Sequence, residues 1–152
     1  MADLTVNINE SITLNNQVIE SSDTKTITGI GEISKRILTI TTNEAEIATF
    51  SGAVASSGHY NDSAVRYIRF TNLDSTNFIT LTFKNDDDDE VAIKVDAKNS
   101  FILYADNDGG MVDVFNAIAG DAASDTAFGS LKDIQADASA STCDLEMFIA
   151  ST

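Results

Sequence analysis

The chain has no proline and no tryptophan, and it has one cysteine and one histidine among its 152 residues. Each shortage removes a class of solution. Cys143 alone cannot close an intramolecular disulfide, and a chain of this length needs no disulfide framework. It alternates with Leu145, Met147 and Ile149, so it is expected to pack as a small hydrophobe in a last strand. A single histidine, His59, rules out a metal site built from several imidazoles of one chain. No nucleophile-elbow pattern accompanies it, and a surface loop, Ser56 to Asp62, is its expected place. Phosphate-binding loops, dinucleotide fingerprints and paired-cysteine motifs are missing as well, and no enzyme activity or cofactor is expected. No apolar run is long enough to span a bilayer, and Met1-Ala2-Asp3-Leu4 offers neither a basic n-region nor an apolar h-region. Cations are scarce too. Nine Lys and Arg face 24 Asp and Glu, for a net charge of −15, which repels nucleic acid and anionic membranes alike. A soluble protein made in a cytoplasm is the expectation, its acidity suppressing aggregation at high concentration.

What is present is a period of two. Leu4-Thr5-Val6-Asn7-Ile8-Asn9, Phe78-Ile79-Thr80-Leu81-Thr82-Phe83 and Cys143-Asp144-Leu145-Glu146-Met147-Phe148-Ile149 each alternate apolar with polar residues, as half-buried strands do. The apolar fraction of 43% is ample for one core. Strands are expected at 4–9, 11–14 with 18–20, 24–30, 34–41, 46–51, 65–72, 78–84, 90–96, 100–105 and 143–150. Two hairpins are expected. One places Asn85-Asp86-Asp87-Asp88-Asp89-Glu90 between Phe78–Lys84 and Val91–Val95; the other turns at Asn9-Glu10-Ser11. Met111, Val112, Phe115 and Ile118 have approximate helical spacing, so Gly110–Gly129 reads as a short helix or a long loop. The fold class is therefore all-β: a single domain over 1–152, an antiparallel β-sandwich, jelly-roll-like, with at most one short helix. Residues 1–9 form an extended arm or an edge strand.

Candidate chemistry is sparse. Four adjacent carboxylates, Asp86–Asp89, repel one another and favour a solvated turn over a cation site, because neighbouring side chains point apart. Asp106 and Asp108, in Asp106-Asn107-Asp108-Gly109-Gly110, are the weak calcium candidates. Counting from Asp106, Gly110 replaces a ligand and Ala117 stands where a bidentate Glu is needed, so no metal site is assigned. The strand Val65-Arg66-Tyr67-Ile68-Arg69-Phe70-Thr71-Asn72 concentrates two of the nine cations. Alternation places Arg66 with Ile68 and Phe70 on one face, and Val65, Tyr67 and Arg69 on the other. Arg beside Tyr is a frequent interface pair.

The segment Val65 to Asp74, with Phe78-Ile79-Thr80-Leu81 after it, resembles a stretch found in small β-rich virion proteins of tailed bacteriophages. The opening Leu4 to Asn15 and the closing Leu145-Glu146-Met147-Phe148-Ile149-Ala150 resemble marine members of that group. The resemblance transfers no catalytic residue. It implies a structural part of the particle, most of all a capsid decoration or cement subunit spanning capsomer joints, with a tail, neck or fibre-attachment component as the alternative. It also implies a virion location, the major capsid protein or another virion protein as partner, and a homo-oligomer, a trimer favoured. Leu4, Val6, Ile8, Arg66, Tyr67 and Arg69 are the interface candidates. From another class, a carbohydrate-binding module around Tyr60 or a calcium-dependent adhesion module remains open; Tyr60, Tyr67 and Tyr104 are the only tyrosines.

Overall fold

Eleven strands account for the regular structure of the computed structural model, which describes residues 1–52, 56–86, 90–104 and 131–152. They are β1 (Ala2–Leu14), β2 (Gln17–Ile30), β3 (Glu32–Ile40), β4 (Ala45–Ser51), β5 (His59–Asn61), β6 (Val65–Asn72), β7 (Ile79–Asn85), β8 (Glu90–Val95), β9 (Ser100–Tyr104), β10 (Leu131–Ala138) and β11 (Cys143–Ser151). No helix occurs among the described residues. Gly110–Gly129, with Asp106 and Asp108, lies outside them.

β3 to β11 build the body. One sheet runs β5-β4-β10-β7-β8 and the other β3-β11-β6-β9. The antiparallel pairs β7–β8, β6–β9, β4–β10 and β3–β11 are nested. That is one long ribbon, doubled back at the β7–β8 turn and rolled until its two halves close on each other: a jelly roll. β5 is an addition at one edge and pairs parallel with β4, the one departure from an antiparallel sandwich among the described residues.

Alternation within the rolled strands fills the space between the sheets. Phe70, Ile68, Leu145, Met147 and Ile149 from one sheet meet Ile79, Leu81, Phe83, Ile134 and Ala136 from the other. Phe83 lies edge-on to Phe70 and Phe101, with ring centroids at 6.4 and 5.8 Å. Cys143 is a free, buried thiol in this core, as its alternation required. Buried Asn72 is fully engaged, donating to the carbonyls of Asn77 and Val95 and accepting from the Asp74 amide.

Three expectations need correction. The polar triplet Asn9-Glu10-Ser11 does not turn; β1 runs straight through it and pairs residue by residue with β2. The turn is at Asn15-Asn16, both with positive φ (52° and 62°), the backbone that a two-residue hairpin with strand-matching twist demands and that Asn tolerates. His59 is not in a loop: it begins β5, opposite Thr49 and half-buried. In β6, Val65 joins Ile68 and Phe70 in the core, not Tyr67 and Arg69. The cause is a register shift. Ala150 faces Tyr67 and Ser151 faces Val65, so Arg66 is the extra residue of a bulge and leaves the core face.

Candidate assembly surface

β1 and β2 form a sheet of their own, a ribbon outside the jelly roll. At about 3.4 Å per residue, the 13-residue β1 reaches about 40 Å. The register gives the ribbon two unlike faces. Thr5, Asn7, Asn9, Ser11 and Thr13 oppose Thr26, Thr24, Ser22, Glu20 and Val18 on a mostly polar face. There the Ser22 hydroxyl donates to Asn9 Oδ1 at 2.8 Å, and the Thr24 hydroxyl to Asn7 Oδ1 at 2.9 Å. The other face carries Leu4, Val6, Ile8, Glu10, Ile12 and Leu14, opposite Ile27, Lys25, Asp23, Ser21, Ile19 and Gln17. On β1 that face is aliphatic except at Glu10, while on β2 the isoleucines at 27 and 19 bracket Lys25, Asp23 and Ser21.

Only its base is covered. Ile27 and Ile30 are buried, and Leu4 and Val6 half-buried, against Tyr67, Phe148, Ala150 and Ile102 on the outer face of the β3-β11-β6-β9 sheet. Gly29, at φ +77°, sits in the bulge between the ribbon pairs Ala2–Ile30 and Leu4–Ile27, and lets Ile27 and Ile30, three residues apart, turn to the same side. Beyond Val6 the support ends. Ile8, Ile12, Leu14 and Ile19 are exposed, Ile12 and Ile19 each at 57%. Four exposed aliphatic side chains thus share one face, with Glu10 between Ile8 and Ile12 and with Ser21 and Asp23 beside them.

The sheet under the ribbon base is also left partly bare. Ile33, Lys35, Ile37 and Thr39 of β3 share its outer face with Asp144, Glu146, Phe148 and Ala150 of β11. The base covers the β6–β9 side, while Ile33 and Ile37 stay 56% and 61% exposed on the β3 side. Between them lies an ion cluster. Glu146 accepts from Lys35 Nζ at 3.0 Å and from Arg69 Nη2 at 2.6 Å, and these two donors hold its carboxyl below the usual range. Two cations thus share one carboxylate. Arg69 also donates to the Thr71 hydroxyl and lies 5.9 Å from the Phe148 ring centroid. Burial under the ribbon pushes the Tyr67 phenol up.

The interface candidates therefore divide. Leu4, Val6, Tyr67 and Arg69 come together at the ribbon base, where Leu4, Val6 and Tyr67 form an internal joint. Ile8 stands at the start of the exposed part. Arg66 is elsewhere, its guanidinium donating to the carbonyls of Ser63 at 2.7 Å and Val65 at 3.2 Å. Ile12, Leu14, Ile19, Ile33 and Ile37 were not among the candidates. Their alternation was visible; what hid them is that exposure depends on where the sheet stops, which no local pattern reports.

Two other places gather polar groups. Tyr60 is half-buried: its ring centroid is 5.9 Å from that of Phe50, and its hydroxyl accepts from Arg36 Nη2 at 2.7 Å and bonds Ser34 at 3.1 Å. With His59, Ser57 and Gly58 it lines a cleft of about 460 Å3. Arg36 points inward from β3, and Gly58 has φ +95° with a Cβ position only 3.6 Å from that guanidinium. These contacts tie β5 to the edge of the opposite sheet. Among the described residues no group of three His, Cys, Asp or Glu could hold a metal ion. Asp86 lies in the β7–β8 turn, and Asp87–Asp89 fall outside the described residues.

No protein-family model, curated protein or solved structure matches the chain.

Proposed function

We propose that this chain is a non-enzymatic structural subunit of a tailed-bacteriophage particle, a head decoration or cement protein that binds the major capsid protein across capsomer joints. One observation supports the reading: a ribbon with aliphatic side chains spaced along one face, of which the fold buries only those at the base. A subunit that must stay soluble and then join copies of itself into a regular layer over the shell needs a stable body, a charged surface and a protruding contact element. The rolled body, the net charge of −15 and the ribbon supply one each. The resemblance of Val65–Asp74 to small virion proteins points the same way. Holding a shell by many modest contacts requires no strong single bond; interfaces of about 1,600 Å2, repeated over the surface, must all be broken before the shell can expand.

Immunogold electron microscopy of intact particles, with antibody raised against this chain, tests the reading. Label spread over the head is the expected result. Label confined to tail or neck would move the protein to the tail-component alternative, and particles without label would overturn the virion assignment.

A further inference from the structure

We infer that the exposed half of the ribbon docks on the outer face of the β3-β11-β6-β9 sheet of a second copy of this chain, setting Ile8-Glu10-Ile12 against Ile33-Lys35-Ile37. This rests on the assembly reading above and names the ribbon's partner.

Three features of the molecule argue for a second copy. The first is continuity. The ribbon face that is exposed from Ile8 to Leu14 is the same face that, at Leu4, Val6 and Ile27, already packs on this very sheet. What fits the sheet at the base fits it further along, and the free ground on the sheet is the β3 side, where Ile33 and Ile37 are bare. The second is complementarity of pattern. Both elements present isoleucine, charge, isoleucine at the two-residue period of one strand face, about 7 Å between successive side chains. The charges are opposite, Glu10 on the ribbon and Lys35 on the sheet. Lys35 is free to take a second carboxylate, because it shares Glu146 with Arg69 and is itself 57% exposed. The ribbon from 7 to 23 contains Glu10, Glu20 and Asp23 and no Lys or Arg, so nothing on it repels that cation.

The third is size. With reciprocal exchange, each copy gives the eight residues of its 7–23 segment that share the Ile8 face and the four outward residues of its own β3, twelve a side, which is a small contact that fills only as concentration rises. The net charge of −15 opposes approach at long range, but salt at 0.1 M limits that repulsion to about 10 Å, and the contact itself is decided by the matched faces.

The test uses the full chain, purified, with mass measured by light scattering across a concentration series. A concentration-dependent rise to a multiple of the chain mass is expected. Glu10→Lys alone and Lys35→Glu alone are each expected to weaken association about tenfold or more, and the two together in one chain to restore it, because the reversed pair is again complementary. Both sites are exposed and Arg69 still pairs with Glu146 when Lys35 is reversed, so both variants are expected to keep the fold, which circular dichroism checks. As an independent readout, chains carrying Ile12→Cys are mixed with chains carrying Ile37→Cys under mild oxidation; Cys143 is buried and does not compete. A covalent dimer containing one of each supports the docking. A chain that stays monomeric throughout, or single reversals without effect, or no mixed disulfide, overturns it. Particle labelling separates the two levels: a monomeric chain that still labels heads overturns the self-docking alone, and a self-associating chain that labels no particle overturns the virion role alone.

Discussion

The two halves of the β1–β2 ribbon share strands, register and facial pattern, and yet one half is part of a core while the other stands in solvent. At the base, Ile27 is 1% exposed; near the tip, Ile19 is 57% exposed. Side-chain chemistry does not separate them, since both are isoleucines of β2 on the same face. What differs is whether a second layer lies beneath. An isolated two-stranded hairpin is marginal in water, so the base holds the ribbon in place and the tip keeps its form through turn and cross-strand pairs alone. The base makes the ribbon a fixed feature; the tip makes it available.

That contrast can be put under strain by substitution. Ile27→Ala removes a buried side chain from the joint and is expected to lower stability by about 2–4 kcal/mol, read by denaturant unfolding. The same change at Ile19, in dilute protein, is expected to cost under about 0.5 kcal/mol. Equal losses at both sites would mean that the tip is packed on something in the monomer. Asn16→Ala strains a positive φ at the turn and is expected to cost about 1 kcal/mol, confined to the ribbon tip and visible as faster amide exchange in 12–19 with the body unchanged. A uniform acceleration over the body would show that ribbon and jelly roll unfold as one unit.

A further small effect is electrostatic. Lys35 and Arg69 depress the Glu146 carboxyl in the folded state, so the cluster's contribution is complete above the unfolded carboxylate pKa and is lost as pH falls through the lower folded one. Because Lys35 is open to solvent, the contribution is under about 1 kcal/mol. Glu146→Gln is expected to lower the melting temperature slightly at pH 7 and to leave it equal to the parent's in strong acid. A difference between the two that persists in acid would assign the loss to packing.

The strands that build the body were legible wherever β-branched and aromatic residues alternate. Val65–Asn72 was placed to the residue, and the β7–β8 hairpin was placed to within one or two. β10 was not, because Leu131-Lys132-Asp133-Ile134-Gln135-Ala136-Asp137-Ala138 is built largely of Ala, Asp and Lys, which strands disfavour, and Asp133 is buried where the pattern would want an aliphatic. The ribbon misled for the opposite reason. Asn9-Glu10-Ser11 has the composition of a turn, but with both faces solvated at that point the strand has no core to demand an apolar residue. The nested pairing that makes a jelly roll is invisible locally, since β3 and β11 meet only across the length of the body. The candidate surface was half legible: Leu4, Val6 and Ile8 marked the arm, but Ile33 and Ile37 acquire meaning only beside an uncovered sheet.

Amide hydrogen exchange followed at two protein concentrations bears most directly on a ribbon with a fixed base and a docking tip. Dilute protein should show the base and the body protected and the 7–23 segment exchanging fast. At high concentration, protection should appear together in 7–23 and in 32–38 and nowhere else. Fast exchange of 7–23 at every concentration, or protection of the ribbon without β3, would contradict it.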